Sequence, residues 1–381
     1  MTAITKSEIA AALGDARERT LALLGPVGPA DEVRQHSPLM SPLVWDLAHI
    51  AHYEELWLVR ELAGAPPTDP RLDDVYDAFK HPRRERPSLD LLDPDQARAF
   101  ATGVRARSLD VLDTIDLDAE DPLRRDGFVY GMVVQHEHQH IETMLATLQL
   151  RDTPYPAPGR PTAARATQDE ELCFPRGPFT MGTDDEPWAY DNERPAHVVE
   201  LAPYRIDAGP VTNRAFLGFV AAGGYEDARW WSDAGWRWRR DAGLTAPEFW
   251  RRAGDDWYRR RFGCDEPLTP EEPVQHVCWY EADAYARFVG KRLPTEAEWE
   301  RAAASFDGVG SVWEWTASDF RAYPGFRAFP YREYSEVFFG DEYKVLRGGS
   351  WATHPTAQRE TFRNWDYPTR RQIFSGFRCA A

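Results

Sequence analysis

His136, His138 and His140 alternate with Glu137 and Gln139 in the middle of GFVYGMVVQHEHQHIETMLATLQL. In a helix, at about 100° per residue, His136 and His140 share one face a turn apart, whereas His138 falls about 200° from His136. His136 and His140 can therefore hold one metal ion together, and His138 cannot join them. An i,i+4 imidazole pair on a rigid helix is a good two-point chelate, although an isolated HxxxH is as often a solvated polar face. Glu142 points off the same face, so it suits an orienting acceptor or a packing contact better than a carboxylate ligand. A third ligand must then come from another helix. LVWDLAHIAHYEELWLVREL offers His49 and His52 among Leu47, Ile50, Ala51, Leu56 and Trp57, and spacing alone leaves both open. Three neutral imidazoles leave positions for anionic ligands such as a thiolate or reduced oxygen, which suits a catalytic zinc, iron, copper or nickel ion.

The elements that must position these histidines are helical over the first 150 residues. Ser7 is a candidate cap for a helix whose Ile9, Leu13, Leu21, Leu23 and Leu24 form an apolar stripe before Gly25. A second helix begins after Ser41, with Pro42 in its first turn, and runs to about Leu62. A third covers Pro94 to Ile115 and a fourth about Pro122 to Leu150, which together predict an up-and-down bundle. Pro154, Pro156, Pro158 and Pro161 then mark an extended linker over 151–165. Residues 166–381 are rich in Gly and aromatics, with short strand-like segments such as HVVELAPYRI and KVLRGGSWA, and only ADAYARFVGK and EAEWERAAA read as helices. The fold class is therefore α+β multidomain, with domains at 1–150 and 166–381.

The chain of 381 residues has 43% hydrophobic and 28% charged residues, the balance of a folded globular protein. Its net charge of −17 argues against nucleic acid or an anionic membrane as partner. Cys173, Cys264, Cys278 and Cys379 form neither a CxxC pair nor a disulfide framework, which suits a reducing cytoplasm. No signal-like N-terminus, long apolar run, tandem repeat, GxGxxG or P-loop is present.

Two stretches, SPLVWDLAHIAHYEELWL and QHEHQHIETMLATLQ, resemble the DinB-like iron domain of the ergothioneine-biosynthetic sulfoxide synthases. FTMGTDDEP, ERPAHVVEL, PVTNRAF, KRLPTEAEWERAA, SVWEWT, VLRGGSWA and FRNWDYPTRRQIFSGFR resemble their formylglycine-generating-enzyme-like, C-type-lectin-related α/β domain. The motifs run in order from Ser41 to Arg378, and both domains in one chain are far more specific than either alone. The resemblance implies a four-helix DinB-like bundle followed by that α/β domain. It also implies non-haem Fe(II) on His49, His136 and His140, and use of O2 to join the sulfur of γ-glutamylcysteine, or of cysteine, to the imidazole of hercynine as a sulfoxide.

Other roles follow from the same resemblance. Arg83 and Arg86 in HPRRER match residues that bind the thiol substrate's carboxylates, a task suited to guanidinium forks. Asp366 and Arg370 match the acid and base that clamp its ammonium and carboxylate. Gln139 and Tyr334 match residues that hold the hercynine imidazole, and Asn364 and Trp365 match the pocket for its quaternary ammonium. Tyr331 matches a tyrosine that donates a proton or hydrogen atom during oxygen activation. Solvated loops, surface ion pairs and core packing are the plain alternatives for these residue types.

Two departures from the pattern stand out. Only ASFDGVGS separates EWERAA from VWEWT where the family has a long insertion, so no metal or lid function of that loop carries over. Cys379 stands alone near the C-terminus, which argues against sulfatase activation by a cysteine pair. Other readings are an ovothiol-type synthase, for which the chain has no room for a methyltransferase domain, a three-His zinc thiol transferase, and a ligand-binding module. The expected enzyme is a cytoplasmic monomer.

Overall fold

Thr5 rather than Ser7 starts the first helix in the computed structural model, because Thr5 and Glu8 form a reciprocal capping box: each side chain bonds the other residue's backbone N–H. The structure describes residues 4–117, 120–156, 159–165 and 170–381, in two compact units, Met1–Pro156 and Ala157–Ala381.

The first unit is helical. It contains α1 (Lys6–Leu24), α2 (Pro29–Val33), α3 (Leu43–Glu54), α4 (Leu72–Val75), α5 (Pro94–Thr114) and α6 (Phe128–Leu150). Every residue of α3 is buried, and its last turn widens into a π-helix over Glu55–Glu61. The α1 and α3 helices each pack against both α5 and α6. They therefore occupy opposite corners, rather than the neighbouring corners of a simple up-and-down order. The α6 helix begins six residues later than its apolar pattern predicts. Asp126 and Gly127 both take positive φ, and a Cβ on Gly127 would meet Ile9 Cδ1 at 2.6 Å. This left-handed corner sets where the histidine-bearing helix enters the bundle.

The second unit is mixed. Short antiparallel pairs join β1 (Glu171–Phe174) to β4 (Tyr204–Asp207), and β2 (Gly177–Met181) to β3 (His197–Leu201). A meander links β5 (Trp250–Ala253), β6 (Asp256–Arg261) and β7 (Cys264–Pro267). The four-stranded sheet has the order β10 (Asn364–Asp366), β9 (Lys344–Arg347), β8 (Trp313–Asp319), β11 (Ser375–Gly376), with only β11 parallel to its neighbour. Beyond the two expected helices, α9 (Trp279–Phe288) and α10 (Glu296–Ala302), the unit has α7 (Asn213–Ala221), capped by Thr212, and α8 (Asp233–Asp241), capped by Ser232. Each of these two spans nine residues.

Candidate metal centre

The α3 and α6 helices bring His49, His136 and His140 together, with one ring nitrogen from each within 4.8 Å of the others. Their ring centroids lie 4.6–5.1 Å apart. The His49 Nδ1–H donates to the Tyr76 carbonyl at 2.8 Å, and the His140 Nδ1–H donates to Asp46 Oδ1 at 3.0 Å. Both bonds fix the tautomer and leave Nε2 as the ligating atom. Buried His136 Nδ1 has no hydrogen-bond partner, and the His136 ring stacks on Tyr53 at 3.8 Å. Burial holds the pKa of His49 and His136 well below the usual histidine value, and repulsion among the clustered imidazoles adds to it. Imidazoles converging through ring nitrogens are what a divalent transition metal needs, so these residues fit one.

His52 is tied elsewhere. Its Nε2 meets Asp73 at 2.8 Å, and Asp73 also takes a guanidinium fork from Arg60. His138 is buried but is not one of the three. The acceptor beside His140 is Asp46, on the partner helix, a residue that the local sequence gave no reason to single out.

Glu137, between the histidines, has a different task. Arg17 on α1 and Arg105 on α5 each bridge Glu54 on α3 to Glu137 on α6, through bonds of 2.7–3.4 Å, and Thr20 donates to Glu137 at 2.9 Å. All four charged side chains are at least nine-tenths buried. The two helices that carry the histidines are thus cross-tied by a closed ionic quartet. Only the alternation of polar residues through an otherwise apolar helix hinted at it.

Arg86 is 5% exposed and lies 3.6 Å over the Trp45 ring, which also stacks on His49 at 4.5 Å. It donates to Ser41 Oγ and to the carbonyls of His81 and Ala78, and burial pushes its pKa down to about 10. Arg83 is half-buried and donates to the Leu39 carbonyl. Gln139, next to His140, is half-buried.

The remaining candidates lie in the second unit. The Tyr334 ring stacks on buried Tyr190 at 4.2 Å, lies 6.2 Å from Tyr331, and meets Trp365 edge-on at 5.9 Å. Trp365 stacks on Phe320 at 4.1 Å and neighbours Phe338. Asn364, Trp365 and Asp366 form β10, paired with β9, and Arg370 donates to Asp366 at 3.1 Å. Tyr331, Tyr334, Asn364, Trp365, Asp366 and Arg370 thus cluster on one segment pair.

Comparison with known proteins adds a family. The DinB superfamily model matches residues 12–144, and the sulfatase-modifying factor enzyme 1-like domain matches 157–308 and 305–381. A hercynine oxygenase of Mycolicibacterium thermoresistibile is 46% identical, with 98% of this chain and 95% of that protein covered. One of Mycolicibacterium smegmatis is 44% identical, with 99% of each covered. The chain belongs to the hercynine oxygenase family. It is an enzyme, an oxidoreductase. A formylglycine-generating enzyme of Streptomyces coelicolor is 39% identical over 38% of this chain and 50% of its own length.

The alignment to the first of these relatives spans 440 positions, so at least 59 have no counterpart in this 381-residue chain. The second-domain match breaks at 305–308, where the short connection lies. Here Phe306 packs on Trp299 and under Arg378, whose guanidinium sits 3.6 Å from its ring, and Asp307 N–H bonds the Ala208 carbonyl at 2.9 Å. The shortened connection is well packed. Among the described residues no helix is long and apolar enough to cross a membrane.

Proposed function

We propose that the chain is an iron- and O2-dependent sulfoxide synthase that joins the sulfur of γ-glutamylcysteine to the imidazole of hercynine. Family membership supports hercynine as substrate, and the observation that carries the reading is the convergent, pre-oriented group His49, His136 and His140. Bound there, ferrous iron supplies the redox capacity to couple a thiol, an imidazole C–H and dioxygen. The balance is simple: one oxygen atom stays on sulfur, and the other leaves as water with the thiol hydrogen and the imidazole hydrogen.

The chain's own residues bind and orient. Arg83 and Arg86 take the carboxylates of the thiol, with Arg86 held rigid by Trp45. Asp366 and Arg370, already paired, open to its ammonium and carboxylate. Gln139 and Tyr334 hold the hercynine imidazole. Trp365, stiffened by Phe320, offers an aromatic face beside Asn364 to the trimethylammonium group. Tyr331 donates a proton or hydrogen atom from its phenol. The enzyme works as a cytoplasmic monomer.

Anaerobic loading with Fe(II), followed by hercynine and γ-glutamylcysteine in air, should give a conjugate whose mass equals both substrates plus one oxygen atom less two hydrogens. A zinc-loaded sample should give none. Thiol transfer without O2 uptake, or activity with zinc, would contradict this reading and favour the zinc thiol transferase.

A further inference from the structure

The segment carrying Tyr331 and Tyr334 is irregular, and Arg332, Glu333 and Val337 on it are exposed. Ser335, in its middle, is completely buried. Its hydroxyl donates to Asp191 Oδ1 and accepts from Asn192 Nδ2 at 3.0 Å. At the other end of the segment, the Phe329 N–H donates to Asp191 Oδ2 at 3.1 Å. The two oxygens of one buried carboxylate thus hold the chain on either side of Tyr331. Tyr190, the preceding residue, stacks its ring on Tyr334.

Residues 190–192 are themselves held from below. Glu193 accepts from the Tyr190 N–H and from Arg359 and Thr361, and Arg363 donates to the Asn192 carbonyl at 2.8 Å. Arg363 directly precedes β10, with Asn364 and Trp365. One buried scaffold therefore sets both the tyrosine segment and the strand opposite it. An acceptor is needed at both oxygens of residue 191. Asn supplies only one acceptor, so with its oxygen on the Phe329 N–H its amide NH2 faces Ser335, whose hydroxyl proton loses its charged acceptor. The Asp191 carboxylate bonds Ser335 and the Phe329 N–H, and the residue is 3% exposed, so direct chemistry is not its part.

We propose that Asp191 is a positioning residue that clamps residues 329–335 and so holds the Tyr331 phenol where the coupling step uses it. This rests on the assignment of Tyr331 above. The test uses full-length, Fe(II)-loaded protein carrying Asp191→Asn, Ser335→Ala, Tyr331→Phe, or Asp191→Asn with Tyr331→Phe. Amide hydrogen exchange across 329–338 should quicken by about tenfold or more in Asp191→Asn and Ser335→Ala, with iron content unchanged. Coupling kcat should fall about tenfold, and product should shift from sulfoxide conjugate to sulfinate while the KM for γ-glutamylcysteine stays at the wild-type value. With hercynine saturating, the double variant should couple no worse than Tyr331→Phe, because Asp191 acts on the coupling step through that phenol. Wild-type exchange across 329–338 in both clamp variants, or additive losses in the double variant, would overturn the proposal. Wild-type product ratio in Tyr331→Phe would instead overturn the role of Tyr331, and the exchange result alone would then decide whether Asp191 clamps the segment.

Discussion

The two units place their candidate residues by opposite means. In the helical unit the positions follow from periodicity: α3 and α6 are continuous, and a turn's spacing puts His136 and His140 side by side. Buried charge there works across the bundle, as Arg17, Arg105, Glu54 and Glu137 tie the helices together behind the histidines. In the second unit Asn364, Trp365 and Asp366 sit on a short strand, while Tyr331, Tyr334 and Arg370 lie outside any strand or α-helix. Buried forks join distant parts of the chain in this unit: Arg359 with Glu193, Arg363 with Glu296, and Arg378 with Glu314. Helices carry position along the chain, whereas loops must be pinned at each point. A defect in the first unit should therefore act on the whole bundle, and a defect in the second should act locally.

The ionic quartet gives the largest effect on this contrast. Arg105→Met leaves Glu54 and Glu137 to share Arg17, and should cost roughly 3–5 kcal/mol in chemical denaturation, because uncompensated carboxylates remain buried. Metal affinity should fall with it. If Arg105→Met loses less than about 1 kcal/mol, the cross-tie does not organise the bundle.

Asp46→Asn separates orientation from stability. It keeps the shape beside His140 and removes the charge, so Fe(II) affinity should drop about 10–100-fold with little change in melting temperature. Unaltered affinity by competitive metal titration would mean that His140 needs no anionic partner.

A smaller, pH-dependent effect belongs to the second unit. Burial pushes the pKa of His276 down to about 3, while its N–H donates to the Arg371 carbonyl. The folded protein therefore keeps His276 neutral, and the unfolded chain protonates it near its ordinary value of about 6.5. The stability it contributes is complete above that pH and is lost as pH falls towards 3, at no more than about 1.4 kcal/mol per unit. His276→Asn, which keeps an N–H donor, should flatten the acid limb of the stability curve. An identical pH slope in both proteins would remove His276 as the cause.

The same contrast explains what was legible in the sequence. The His136–His140 pair, the long helices and the pattern of short strands could be read directly, because local spacing encodes them. Spacing could not choose His49 over His52, since that depends on whether a Tyr76 carbonyl or an Asp73 carboxylate faces each ring. Asp46 looked like one more polar residue in an apolar helix, and Glu137 like a polar position between ligands. The Asp191 clamp joins positions 138 and 144 residues apart, and no local pattern marks such a pairing. The start of α6 was misjudged because Asp126 and Gly127 turn the chain against an apolar pattern that continues through them.

The central claim is that α3 and α6 together supply one iron site through His49, His136 and His140. Its most direct test is Fe(II) stoichiometry with the EPR signal of the nitric oxide adduct, measured on wild type and on four single alanine variants at positions 49, 136, 138 and 140. Equimolar iron and a nitrosyl signal in wild type and His138→Ala, with both lost in His49→Ala, His136→Ala and His140→Ala, is the predicted result. Iron retained by His49→Ala or His136→Ala and lost by His138→Ala would contradict it.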